Sequence, residues 1–120
     1  MNKTIKFLCS VTLLFAAQSA LACDYPQRIV VPNGTTATKD DMLAGQRGVK
    51  TFVAAIEVYL ECIVDEEKQA RAGMEELGAE DEQQREDALN KKYNAAVDEM
   101  ERIAAQFNVE VQAYRAKESS

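Results

Sequence analysis

The chain has 120 residues, 14 Lys and Arg against 20 Asp and Glu, no His, no Trp and three Cys, for a formal charge of −6. That length fits one small domain. The missing His removes the commonest general base and metal ligand, and the acidic balance argues against a nucleic-acid binder, which needs clustered Lys and Arg for phosphates.

Residues 1–22 read as a secretory signal. Lys3 and Lys6 form a positive start, Phe7 to Ala17 is an apolar run, and Ala20-Leu21-Ala22 is a cleavage pattern with the cut between Ala22 and Cys23. The apolar run falls short of the roughly 20 residues a membrane-spanning helix needs, so no stable membrane insertion is expected after cleavage. The expected location is periplasmic or secreted. Cleavage removes Lys3, Lys6 and Cys9, leaving residues 23–120 with a charge of −8 and two cysteines, Cys23 and Cys62. In an oxidising compartment their simplest fate is one disulfide. Two alternatives stand beside it. Cys23 could be a lipid acceptor, although Ala20 replaces the Leu, Val or Ile usual three residues before such a cysteine. The bond could also be intermolecular.

Residues 23–37 hold both prolines, Pro26 and Pro32, around the β-branched run Ile29-Val30-Val31. This predicts an extended strap. Asn33-Gly34 is a turn signal. Asn33-Gly34-Thr35 also matches the N-glycosylation pattern, but in a bacterial-style secreted chain the turn is the better reading.

Thr38 is placed to cap a helix, with Asp40 and Asp41 at its positive end. Met42, Val49, Ile56, Ile63, Ala70 and Leu77 recur every seven residues, with Val53, Leu60 and Met74 between them and Gln46 and Glu67 as breaks. The heptads predict a helix over about 38–77, with Gly78 as its C-cap. A second helix over about 80–117 carries the seam Leu89, Tyr93, Ala96, Met100, Ile103, Phe107 and Tyr114. The short link predicts an all-α, coiled-coil-like antiparallel hairpin over 38–118, its register pairing Val49 with Phe107, Ile56 with Met100 and Ile63 with Tyr93.

Gly45, Gly48, Phe52, Ala55, Tyr59 and Cys62 form a second stripe on the first helix, spaced three and four apart. Two mid-helix glycines each cost about 1 kcal/mol against Ala. Something should therefore approach closely. The strap can reverse at Asn33-Gly34, run back along the stripe with Tyr25, Ile29 and Val31 on its inner side, and end at Cys62. The alternative occupant is a second molecule, giving a four-helix bundle and a homodimer.

Searches for chemistry return little. Ser-His-Asp, Cys-His and Glu-x-x-His arrangements all need the absent residue. No phosphate loop or EF-hand order occurs. Met42, Met74 and Met100 sit on seam positions and read as packing, as do Tyr93, Phe107 and Tyr114. Glu57 with Glu61 as paired carboxylates, and Asp98 with Arg102 as an ion pair, stand at helical spacing and read as a solvated face. The acidic cluster around Arg85 near the turn reads as a solvated helix end, with a docking tip or loose cation site as the rival. No cofactor or metal is expected, and no catalytic residue.

Cys23-Asp-Tyr-Pro26, Asn33-Gly34 through Asp41-Met42, and Tyr59-Leu-Glu-Cys62 together resemble a group of short, uncharacterised secreted proteins of Gram-negative bacteria, over roughly residues 23–70. The resemblance implies a periplasmic setting and paired cysteines and transfers no functional residue. The hairpin is also similar in architecture to periplasmic helical chaperones. The expectation is a non-enzymatic interaction protein, a scaffold, inhibitor or holdase-like binder of an unknown protein partner, with a self-associating structural coiled coil as the alternative.

Overall fold

The computed structural model describes residues 22–120. The expected leader therefore lies outside the described residues, apart from Ala22. Two long helices follow an extended strap: α1 spans Lys39–Ala72 and α2 spans Ala79–Glu118. They pack as an antiparallel hairpin, and no strand occurs among the described residues.

Helix α1 starts where Thr38 places its hydroxyl. Thr38 Oγ1 accepts from the Asp41 N–H at 3.2 Å, and Asp41 Oδ2 accepts from the Thr38 N–H at 2.8 Å, closing a capping box. The helix stops five residues before the expected Leu77. Gly73, not Gly78, is its C-cap, and Gly78 instead begins α2. Charge and propensity explain the difference. Gly73 is the first poor helix former after Gly48, and it interrupts the last heptad. Extending α1 to Leu77 would put Glu75 and Glu76 at the negative end of its dipole. Stopping at Ala72 leaves Arg71 there, and starting α2 at Ala79 puts Glu80, Asp81 and Glu82 at a positive end.

The earlier stop shifts the register. Glu67 pairs with Arg85, and Gly45 lies against Phe107, so opposed residue numbers add to 152. Ile56 therefore lies level with Ala96 instead of Met100, Ile63 with Leu89 instead of Tyr93, and Val49 with Ile103 instead of Phe107. Ile56 and Ala96 are both fully buried, in one cluster with Phe52, Leu60, Ile63 and Ile103. A smaller cluster at the open end joins Ala37, Met42 and Phe107. Seam residues Met74 and Tyr93 are exposed, at 42% and 39%. Met74 falls in the link between helices, and Tyr93 is left outside the core by the shift.

Candidate interaction site

The strap lies along one side of the hairpin, antiparallel to α1. A disulfide joins Cys23 to Cys62, with Cα atoms 5.7 Å apart. Tyr25 meets Tyr59 edge to face at 5.1 Å between ring centroids. Ile29 and Val31 pack on the core, while Val30 between them is 92% exposed, the period-two alternation of an extended chain. Phe52 is buried beneath the strap, and Ala55 and Tyr59 are half-buried.

The two glycines of the stripe behave differently. A Cβ on Gly45 would lie 2.6 and 2.7 Å from Pro32 Cγ and Cδ, too close for any real contact. A Cβ on Gly48 would meet Ile29 Cδ1 at 3.8 Å, an ordinary contact. Gly45 is therefore required by the approach of the strap; Gly48 is not.

The strap also grips α2. Its turn is held internally by Asn33, whose side-chain oxygen accepts from the Thr35 N–H at 2.9 Å and whose carbonyl accepts from the Ala37 N–H at 2.8 Å. The Gly34 N–H donates to Glu110 Oε2 at 2.7 Å, and a Cβ on Gly34 would overlap the Glu110 carbonyl. Lys117 donates to the Ala37 carbonyl at 2.6 Å, with its ammonium 4.7 Å from the Tyr114 ring centroid. The strap thus lies in the groove between both helices. Gly34, Glu110 and Lys117 escape the sequence reading because Glu and Lys on a helix flank carry no signal of their role. Asn33-Gly34 signals a turn without signalling what the turn packs against, and Gly34 has no positive φ.

Charge fixes the middle and the far end. Glu99 accepts from Arg28 of the strap at 2.8 Å and from Arg102 at 2.8 Å, replacing the expected Asp98–Arg102 pair. Glu67, a break in the heptads, accepts from Arg85 across the hairpin at 2.9 and 3.0 Å and from Arg71 at 3.0 Å. Arg85 therefore spends its guanidinium on α1 and not on the carboxylates near the turn. The hydrogen bonds from Arg85 and Arg71 hold the Glu67 carboxyl below the usual range, and the Arg102 fork does the same for Glu99. Burial pushes the Tyr25 phenol up, helped by the Glu99 charge.

A two-helix hairpin has two grooves, and the strap covers one from the open end as far as Cys62, beyond which Ile63, Glu66, Leu89 and Lys92 line an open stretch of the same groove. On the opposite side an open groove runs between the helices. Near the turn its walls are Leu60, Val64 and Tyr93, rimmed by Glu57, Glu61 and Asp65 with Lys68. Near the open end they are Met42, Leu43, Phe107 and Val111, rimmed by Lys39 and Arg115. Between them Val53, Val97, Met100 and Ala104 are half-buried. Among the described residues no three His, Cys, Asp or Glu are arranged to hold a metal ion, and no helix is long and apolar enough to cross a membrane.

Comparison with known proteins gives no match to a family model, a curated protein or a solved structure.

Proposed function

We propose that the protein is a non-enzymatic interaction protein of the periplasm or extracellular space, binding another protein through the hairpin face opposite the strap, as a scaffold, inhibitor or holdase-like binder. The observation that carries this reading is the asymmetry of the hairpin. One groove is covered by the protein's own strap from the open end as far as Cys62. The other keeps a continuous line of half-buried apolar side chains between charged rims, with Leu43 42% and Tyr93 39% exposed. Apolar faces rimmed by charge are what protein interfaces are made of. The signal-like residues 1–22 and the Cys23–Cys62 bond support an oxidising location.

The test is photocrosslinking in living cells. A photoreactive residue at Val53 or Val97 is expected to trap a discrete adduct, while one at outward-facing Gln112 is not. Background-level labelling from both groove positions overturns the proposal.

A further inference from the structure

The open groove differs from the strap's groove in its walls. The strap's main chain comes close to α1 because Gly45 offers no side chain there. No glycine is among the residues lining either end of the open groove. Its α2 wall is Tyr93, Val97, Met100, Ala104 and Val111, at intervals of four, three, four and seven. Its α1 wall is Met42, Val53, Leu60 and Val64, at intervals of eleven, seven and four. Each interval is a sum of the threes and fours that keep residues on one helical face. Both walls therefore carry coiled-coil seam spacing, and what packs between two such walls is the side-chain stripe of a third helix, its axis about 8–10 Å from each.

Charge says what that helix carries. The turn-proximal end of the groove has Glu57, Glu61 and Asp65 against a single Lys68, while the open end has Lys39 and Arg115 with no carboxylate among its lining residues. We infer that the strap-free face seats an amphipathic helix of another protein, cationic along the half that passes Glu57 and Glu61 and anionic along the half that passes Lys39 and Arg115. This rests on the binding role proposed above for that face and names the partner's chemistry.

Length and burial agree. From Leu43 to Val64 is 21 residues of α1, about 32 Å at the helical rise, so a partner helix of about 22 residues spans the apolar line. Leu43 and Tyr93, the exposed large side chains of the groove, stand toward its two ends and are covered by a helix of that length. A helix of one charge sign meets like charge at one end or the other, and juxtaposed like charges are what an interface uses to reject a wrong partner.

Calorimetric titration of the oxidised protein with two synthetic helical peptides of about 22 residues tests it. Both carry the same Leu stripe and equal numbers of Lys and Glu. One has its Lys in one half and its Glu in the other; the second alternates them. The divided peptide is expected to bind about tenfold or more tighter, by a margin that raised salt reduces. Lys39→Glu with Arg115→Glu should remove that preference, with circular dichroism confirming that the variant keeps its helices. Absence of binding by either peptide overturns the inference, as do equal binding of both and a preference that the double reversal leaves in place. An adduct from Val97 in cells that proves to be a second copy of the chain overturns it too. If the peptides fail while Val97 still traps another protein, the helical partner falls and the binding role stands.

Discussion

Three glycines carry three different arguments. Gly45→Ala drives a methyl group into Pro32, whose ring is rigid, and is expected to destabilise the protein by about 1–3 kcal/mol, the usual cost of overpacking. Gly48→Ala meets only the flexible end of Ile29 and gains helix propensity, so it should be neutral or stabilise by up to about 1 kcal/mol. Urea denaturation of the two variants gives opposite shifts if the strap is seated as described. Gly34 is held in place by Glu110 as well as by space. Glu110→Ala removes the acceptor of the half-buried Gly34 N–H and should cost about 1–3 kcal/mol in the same assay. The spacing of Gly45 and Gly48 marked a stripe that something approaches. Which glycine is obligatory was not legible, because that depends on where one proline ring falls along the strap.

At the scale of elements, the strap depends on its ends. No backbone hydrogen bond ties residues 23–32 to either helix; the turn at 33–37 is where main-chain bonding begins. The strap is held by the disulfide, Arg28 and packing. Cys23 and Cys62 are 39 residues apart, a loop whose closure is worth about 4 kcal/mol in the chain-entropy view. Reduction should lower the urea midpoint accordingly and open the strap to proteolysis near Arg28 before the helices melt. Glu67 and Glu99 give a pH dependence whose sign is fixed. Their carboxyls are held low in the folded state, so as pH falls the unfolded chain takes up protons first. Their contribution is complete above the ordinary Glu range of about 4.3 and is lost as pH falls through the depressed values. Acid titration of stability should therefore show a decline below about pH 4.3 that is shallower in a Glu67→Gln, Glu99→Gln variant. The heptads and Thr38 make both helices and the start of α1 legible. The end of α1 was misread because the apolar repeat runs on to Leu77, past the point where Gly73 and the following glutamates favour a stop. The register followed that end, which is why it slipped.

At the scale of the whole molecule, the strap decides which groove is covered and which is open. The second apolar stripe of α1 accounts for the first groove. The other was hidden in the sequence because its residues, such as Leu60 and Tyr93, lie on or beside the main seam and read as ordinary core until the register places them. The most direct measurement of strap placement is a nuclear Overhauser spectrum of the oxidised protein. Cross-peaks between the Pro32 ring and the Gly45 α-protons, and between the Tyr25 and Tyr59 rings, are expected together. A folded hairpin lacking both sets would contradict the seated strap, and with it the division into one covered and one open face.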